Sequence, residues 1–474
     1  MTPDEFRTHA HELVDWMADY LSATDYQVVP PTKPGDVRRL LPASAPENGE
    51  SFQSIFEDFR QLIVPNMTHW NHPGWFAYFP ANNSPPSILA EMLTATLGAQ
   101  CMSWQTSPAA TELEEVVMAW LAEACGLPST FRGVIQDTAS TATLVALITA
   151  RELHSAGQIG LSGKTEKSLR VYASDQAHSS IDKAVKIAGF GLENLVRIPT
   201  DSDFAMDPVA LRAAILADIA AGLTPCAVCA TVGTTSSTAI DPIRMIGEIC
   251  QEFNVWFHVD AAYAGTATLL PELRWMIDGV ELADSYVFNP HKWMLTNFDC
   301  TAYFVKDPSS LLAAFELTPE YLRTTYDAEV PNFRDWGIQL GRRFRALKLW
   351  FVLRSYGVSG IQALLRDHIQ MASALREKVR LSPDFELVTE GVLGLVCLRA
   401  NPAWAQEAEL NALNQDLMAA VNAEGHSYMT HTRLRDVYTI RVSIGQWRTR
   451  EEHVDVLWDA LNRSLQNLSA DRSI

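Results

Sequence analysis

The chain of 474 residues carries 37 lysine and arginine residues against 56 aspartate and glutamate residues, a formal net charge of −19. So acidic a chain is not expected to bind nucleic acid or anionic lipid electrostatically. Hydrophobic residues make up 47% of the sequence, a share typical of a folded protein with a large core. No signal peptide and no stretch of ~18 apolar residues that could span a membrane is visible, and the seven cysteines do not resemble a disulfide framework. We therefore expect a cytoplasmic protein.

The first predicted element is an amphipathic helix over residues 4–21. Its apolar face consists of Phe6, Ala10, Leu13, Val14, Met17 and Leu21. A stretch rich in proline and glycine, from Pro30 to Gly35, separates this helix from the rest of the chain. Because a helix on a linker cannot bury its apolar face alone, either a partner subunit or another part of the same chain has to cover it. We predict a helical arm over residues 1–75.

From about residue 133 the sequence alternates β-rich runs with helical patterns. The β-rich runs are GVIQ, LRVYAS, NLVRI, CAVCATV, VWFHV, SYVF and TAYFV. Strand followed by helix, repeated, predicts a mostly parallel seven-stranded sheet in a large α/β domain over residues 76–350. SYVF and TAYFV are too close for a crossover helix, so one of the two is expected to run antiparallel.

A long helical stretch, RRFRALKLWFVLRSYG, leads out of the large domain. The strands ELVTE, LGLVCLRA and YTIRVSIG follow, separated by helices. This pattern predicts a smaller α+β domain over residues 351–474.

Two charged residues follow predicted strands, where ligands bind in an open α/β sheet. Lys292 follows the apolar run in VFNPHKW, where desolvation favours the neutral amine that a Schiff base requires; a surface lysine is the simpler alternative. Asp260 ends the apolar strand VWFHVD. A carboxylate there needs a cation, such as the protonated pyridine nitrogen of pyridoxal phosphate, or else it caps the next turn.

Further polar residues follow neighbouring strands. Thr138, Ala139 and Ser140 precede the helix ATLVALITARELH, where they suit a phosphate group or serve as an ordinary helix cap. His178 follows LRVYAS and either contacts a flat cofactor ring or is structural. Each residue alone is a weak signal. Together, a phosphate site, a histidine, a pyridinium partner and an amine at successive strand ends predict a pyridoxal phosphate site.

Eight motifs extend this prediction to a family. They are HPGWFAYFP, SWQTSPAATELE, VIQDTASTATLVAL, SDQAHSS, VGTTSSTAIDP, HVDAAYAG, NPHKWMLTNFDC and LGRRFRALKLWFVLR. With them the sequence resembles the pyridoxal-phosphate-dependent group II amino acid decarboxylases of the aromatic-L-amino-acid decarboxylase type. The resemblance implies a fold type I homodimer with shared active sites and an N-terminal arm that wraps the partner. It also implies that an L-amino acid of the tryptophan, tyrosine, DOPA or phenylalanine class is decarboxylated to an amine and CO2.

The resemblance also implies catalytic roles for four residues. Lys292 would form the Schiff base with the cofactor, Asp260 would pair with the pyridine nitrogen, and His178 would stack on the ring. A catalytic tyrosine on a loop that reaches the neighbouring active site falls at Tyr321. Its phenol would donate a proton to the substrate carbon after CO2 leaves.

Further positions match the cofactor and substrate contacts of the family. The resemblance places Ala262 beneath the ring, Thr235 near the cofactor and His291 in its pocket. The matching phosphate-binding positions are Thr138, Ala139, Ser140, Ser285 and Asn289. The matching positions of the substrate side-chain pocket are Trp70, Tyr78, Phe79, Pro80 and Met102. Met102 stands where a phenylalanine is usual and Ala81 where a threonine is usual, so the preferred amino acid is left open.

Alternative functions differ from this one in the residues they require. An aldehyde synthase lets oxygen intercept the reaction when the loop phenol is absent, and Tyr321 argues against it; a decarboxylase of a non-aromatic amino acid is another alternative. A non-catalytic homodimer would not need the same four catalytic residues. A nicotinamide dehydrogenase would need G-x-G-x-x-G after the first strand, where this chain has QDTASTA.

No metal site is expected. Cys226 and Cys229 lie inside a predicted strand and have no second ligand pair with zinc spacing. His69 and His72 have no carboxylate pattern beside them.

Overall fold

The computed structural model, which describes residues 1–317, 319–320, 325–326 and 329–471, is built around a seven-stranded sheet. Its strands are β1 (Arg132–Gln136), β2 (Leu169–Ser174), β3 (Leu195–Ile198), β4 (Thr224–Thr231), β5 (Trp256–Asp260), β6 (Ser285–Phe288) and β7 (Thr301–Val305). They lie in the order β1, β7, β6, β5, β4, β2, β3. β2 to β6 pair in parallel, whereas β7 is antiparallel to both of its neighbours. The predicted α/β fold is confirmed, including the antiparallel strand TAYFV.

Helices cover both faces of this sheet and extend beyond it. In chain order they are α1 (Pro3–Ser22), α2 (Asp36–Leu40), α3 (Phe52–Asp58), α4 (Pro85–Leu97), α5 (Pro108–Cys125), α6 (Ala139–His154), α7 (Gln158–Ser162), α8 (Ser180–Ile187), α9 (Pro208–Ala220), α10 (Ile243–Phe253), α11 (Pro290–Trp293), α12 (Ser309–Phe315), α13 (Arg345–Leu381), α14 (Leu410–Ala423) and α15 (Glu451–Asp471). In the described part of the chain, none of them has the length and apolar character that crossing a membrane requires.

The side chains of each strand in the large sheet alternate between two hydrophobic cores, one on each face. In β4, Val228 and Ala230 pack into one core, while Ala227 and Cys229 pack into the other. Successive side chains of a strand point to opposite faces, so a strand that is covered on both sides is apolar throughout. α5, α9 and α10 contribute to the first core, and α6 and α8 to the second.

A second sheet, antiparallel throughout, follows α13. Its strands are β8 (Phe385–Thr389), β9 (Leu395–Ala400), β10 (Thr430–Leu434) and β11 (Val437–Ser443), in the order β10, β11, β9, β8. The sequence did not predict β10. α13 contacts α4 and α5 as well as β8 and β9, and it is broken at Gly357, whose φ is 63°. The predicted boundary between residues 350 and 351 therefore falls inside a helix that joins the two sheets, and the domain limits stay a prediction.

The N-terminal helix lies against α3, and four of the six residues of its predicted apolar face are half-buried: Ala10, Leu13, Met17 and Leu21. The Trp16 ring lies 6.1 Å from the Phe56 ring and 5.1 Å from the Phe59 ring, measured between centroids. Phe6 and Val14 of the predicted face remain 60% and 40% exposed. The same chain therefore covers only part of α1.

Candidate active site

The carboxyl ends of the parallel strands open into a cavity of about 220 Å3. The predicted cofactor residues that line it are Thr138, Ala139, Ser140, His178, Thr235, Asp260, Ala262, Asn289, His291 and Lys292. They follow or end β1, β2, β4, β5 and β6. The parallel sheet thus brings residues from distant parts of the chain to one place.

Lys292 lies in the one-turn helix α11, directly after β6. Its Nζ lies 5.3 Å from the centre of the Phe79 ring. Burial is the main cause that lowers the pKa of this amine; the carboxylate of Asp260 acts in the opposite direction, and the charge of Arg441 lowers the pKa further. The balance increases the share of neutral amine, which is the form that attacks an aldehyde to make a Schiff base.

Asp260 ends β5 and is 3% exposed. The Ala262 N–H donates to Asp260 Oδ1 at 3.0 Å, and in the described part of the chain it is the one hydrogen-bond donor to this carboxylate. On β4, Thr231 pairs with Asp260 in register, and its buried hydroxyl has no partner among the described residues. A buried carboxylate with acceptor capacity to spare fits a cationic ring nitrogen.

His178 lies in the loop after β2. Its Nδ1 accepts a hydrogen bond from the Ser180 N–H at 3.1 Å and lies 2.8 Å from the Ser180 hydroxyl. These contacts fix the ring and leave the proton of the neutral imidazole on Nε2. Desolvation is the main cause that lowers the pKa of His178, so the ring is neutral at neutral pH even though part of it is exposed.

The N-terminus of α6 forms another part of the cavity lining. Thr138 is the N-cap, and its hydroxyl accepts a hydrogen bond from the Thr141 N–H at 3.3 Å. The N–H groups of Ala139 and Ser140 belong to the first turn, which has no partners inside the helix. These N–H groups and the helix dipole suit a phosphate.

Asn289 and His291 are both held by the segment that begins β7. The Thr301 hydroxyl donates to Asn289 Oδ1 at 2.8 Å, which leaves the amide N–H2 of Asn289 to donate to a ligand. The Cys300 N–H donates to His291 Nδ1 at 3.0 Å. Burial, assisted by the charge of Lys292, lowers the pKa of His291 to about 3, so this ring is neutral and carries its proton on Nε2.

Ser285 is the exception among the predicted cofactor residues. It lies at the beginning of β6, whereas the cavity lies beyond the end of that strand. Its hydroxyl is 3.1 Å from Trp256 Nε1 and 2.9 Å from His258 Nδ1 in the core. The structure therefore corrects the prediction for Ser285, which supports the sheet instead of lining the site.

Phe79 is the one predicted substrate contact that lines this cavity in the described chain. Its ring stacks on Tyr263 with 3.9 Å between centroids. Pro80 is buried close to Gly445, where a Cβ atom would lie 2.8 Å from Pro80 Cγ. Pro80 thus packs between elements rather than facing the cavity.

The other predicted substrate residues lie elsewhere. Trp70 and Tyr78 stack on each other at 5.6 Å, and Tyr78 is 53% exposed. Met102 lies on a separate segment, where its carbonyl accepts a hydrogen bond from the Arg334 N–H at 2.9 Å. Tyr321 lies outside the described residues.

A comparison with known proteins identifies the family. A family model described as "Pyridoxal-dependent decarboxylase conserved domain" matches residues 34–401. The chain belongs to this family. The decarboxylase is 44% identical to phenylacetaldehyde synthase of Arabidopsis thaliana, over 99% of this chain and 97% of that protein. It is also 44% identical to aromatic-L-amino-acid decarboxylase of Bos taurus, over 97% of this chain and 96% of that protein.

A solved structure gives the same result for the fold. Catharanthus roseus tryptophan decarboxylase in complex with L-tryptophan matches the decarboxylase with a TM-score of 0.93 and 40% identity, covering 99% of each chain. The predicted family, the class of enzyme and its cofactor, pyridoxal 5'-phosphate, are thereby confirmed. The cavity fits that cofactor, because it combines a partly neutral amine, a carboxylate with spare acceptor capacity and a helix N-terminus.

Gly233 also lines the cavity of the decarboxylase, and three further lining residues were not predicted: Ser180, Thr231 and Tyr263. Thr231 ends β4, so the rule that selects Asp260 at the end of β5 selects it too. Gly233 has a φ of 83°, and a Cβ atom there would lie 2.6 Å from the Cβ of Ala264. A glycine that turns the chain at the end of a strand is the signal that marks this position.

Proposed function

We propose that this decarboxylase converts an aromatic L-amino acid to its amine and CO2. The observation that carries the proposal is that Lys292 and Asp260 line the same cavity as the N-terminus of α6. An amine, a carboxylate and a phosphate-binding helix end meet the three chemical needs of pyridoxal 5'-phosphate. The aromatic substrate is supported by relatives named for tryptophan and aromatic amino acids and by the Phe79 ring in the cavity.

Lys292 and Asp260 would act on two different groups of the cofactor, its aldehyde and its ring nitrogen. When bound, the cofactor supplies an electron sink for the carbon that loses CO2. The partly neutral amine of Lys292 would hold the cofactor covalently. The Asp260 carboxylate, which accepts the Ala262 N–H at Oδ1, would keep a proton on the ring nitrogen.

His178 and Tyr321 would complete the reaction. The His178 ring, fixed by Ser180, would contact the cofactor ring and offer its Nε2 proton to bound groups. Tyr321, carried on the segment between α12 and α13, would donate a proton to the substrate carbon. A proton donor close to that carbon favours amine over the aldehyde that oxygen would produce.

We also propose that the enzyme is a cytoplasmic homodimer. Leu89, Leu93 and Leu97 are 52%, 47% and 64% exposed and recur every four residues on α4, which is a stripe that a monomer rarely leaves in water. Phe6 of α1 is also exposed, at 60%. The cysteines of the described chain are all unpaired, which suits a reducing compartment.

A product assay across a panel of amino acids tests the proposal. The panel comprises tryptophan, tyrosine, DOPA, phenylalanine, glutamate and histidine, and amine, CO2, aldehyde, hydrogen peroxide and oxygen uptake are measured together. We expect amine and CO2 in equal amounts from an aromatic substrate, without oxygen uptake. Aldehyde formed with stoichiometric peroxide would establish the oxidative alternative, and turnover of glutamate or histidine alone would establish a non-aromatic substrate.

A further inference from the structure

Asn82 is a buried amide that touches both the Lys292 main chain and the end of the small sheet. It is 0% exposed. Its Nδ2 donates to the Lys292 carbonyl at 2.9 Å and to the Gly445 carbonyl at 2.7 Å, and its Oδ1 accepts from the Trp447 N–H at 3.0 Å. Both N–H groups of the side chain are therefore used, each on a different part of the chain.

The Lys292 carbonyl needs such a donor because of where it lies. α11 is a single turn, Pro290–Trp293, and the last carbonyls of a helix have no partners inside it. Burying a carbonyl without a hydrogen-bond donor costs free energy. The Asn82 amide therefore favours the one orientation of the Lys292 peptide in which the carbonyl points to it. The lysine side chain then extends from a fixed main chain.

The junction around this amide is tightly packed. A Cβ atom at Gly445 would lie 2.8 Å from Pro80 Cγ and 3.4 Å from Trp293 Cδ1. A Cβ atom at Gly394, on the approach to β9, would lie 3.2 Å from Trp293 Cζ2. Trp293, the residue next to Lys292, is thus tightly packed against the small sheet, so the main chain has little room to move.

We propose that Asn82 is a positioning residue that fixes the main chain of Lys292 relative to the small sheet. Through one side chain, the position of residues 445–447 sets the position of the lysine main chain, and through it the place from which Nζ reaches the cofactor. This inference rests on the proposed role of Lys292. It assigns no contact with substrate or cofactor to Asn82, which does not line the cavity.

Two variants and a matched control test this inference. Asn82→Asp keeps the shape of the side chain but offers no N–H to the two carbonyls, and Asn82→Ala removes the bridge altogether. Ser84→Ala is the control, because Ser84 is also 0% exposed and donates to a carbonyl of the same segment, that of Leu295, at 2.7 Å. Should Asn82→Ala fail to fold, Asn82→Ser, which retains one hydroxyl donor, replaces it.

Each protein is examined in three ways. Thermal unfolding of the cofactor-free protein reports the structural cost. Borohydride trapping followed by mass spectrometry reports how much cofactor is attached to Lys292, and the absorbance of bound cofactor against pH reports the environment of the attached nitrogen. We expect Ser84→Ala to lower the melting temperature without moving the pH midpoint or kcat. Both Asn82 variants should lower kcat/KM by at least about tenfold, trap less cofactor and move the midpoint.

The outcomes separate the inference from the proposed function. If the Asn82 variants match Ser84→Ala in the pH midpoint of the cofactor absorbance, in the amount of trapped cofactor and in kcat, Asn82 only stabilises the fold and the inference is overturned. A label on a lysine other than Lys292 in the unmodified protein would overturn the proposed function itself, whatever the variants do.

Discussion

Replacing Asp260 by asparagine tests the electrostatic core of the site. The substitution removes a charge but no volume, and the amide oxygen can still accept from the Ala262 N–H, which now bonds to Oδ1 at 3.0 Å. The fold and the cavity should therefore persist. What is lost is the anion that keeps the pyridine nitrogen protonated.

The size of the loss follows from the burial of Asp260, which is 3% exposed. An opposite charge within a few ångströms raises the pKa of a cationic acid by about 1 to 3 units, and each unit corresponds to about 1.4 kcal/mol. If that protonation is lost at the transition state, CO2 release slows by about 10- to 1,000-fold. Since water screens so buried a group poorly, we expect the upper half of that range.

The assay is single-turnover CO2 release from the variant loaded with cofactor. Asp175→Asn is the control, because it removes an exposed carboxylate after β2 that does not line the cavity. A second measurement checks the sign: the Asp260 carboxylate raises the pKa of Lys292, so in Asp260→Asn the pH midpoint of cofactor capture should move downward. Near-normal CO2 release with retained cofactor would refute the electron-sink argument.

Three further predictions concern other parts of the molecule. Borohydride should fix the cofactor to Lys292, and a label on another lysine would contradict this assignment. Because burial lowers the pKa of the Lys292 amine below its ordinary 10.5, cofactor capture should reach its maximum rate at a lower pH than it would with an exposed lysine. Tyr321→Phe should form less amine and more aldehyde, ammonia and hydrogen peroxide with oxygen uptake, whereas unchanged amine yield would exclude this phenol as the proton donor. Leu93→Glu on α4 should shift the sedimentation of the protein from dimer to monomer, and Val209→Glu on α9, where the side chain is 72% exposed against 47% for Leu93, should not; identical sedimentation of both variants would contradict the proposed interface.

Strand ends explain why much of the site could be predicted from the sequence. Parallel strands all finish at one edge of the sheet, so the residue that follows an apolar run is placed near the others without knowledge of the fold. Asp260, Lys292 and His178 were found in this way, and the structure brings them to one cavity. Motif matches then added Thr235, Ala262 and His291, which also line it.

The antiparallel strand explains part of what could not be predicted. In β7 the beginning of the strand, not its end, lies at the site. The rule that ligands bind after strand ends therefore did not predict Thr301 or its hydrogen bond to Asn289. Ser285 failed for the converse reason, since it begins the parallel strand β6 and lies at the far edge. A family match alone does not supply this geometry.

The missed strand β10 has a local cause. It joins β11 through Arg435 and Asp436, whose φ angles of 46° and 68° are left-handed. Tight hairpins of this kind ordinarily use asparagine and glycine, and Arg-Asp gives no such signal. The strand itself, THTRL, is polar and lies at the edge of its sheet, so no apolar alternation marks it.

The separation between the cavity and the exposed aromatic residues has an evolutionary consequence. Most residues that line the cavity lie at or just beyond strand ends of one sheet, while Trp70 and Tyr78 lie outside that cavity. With the proposed substrate contacts of Trp70 and Tyr78, mutations at these two positions would change which amino acid is accepted without disturbing the residues that hold the cofactor. Such independence lets gene duplicates explore new substrates while each intermediate sequence stays a working enzyme.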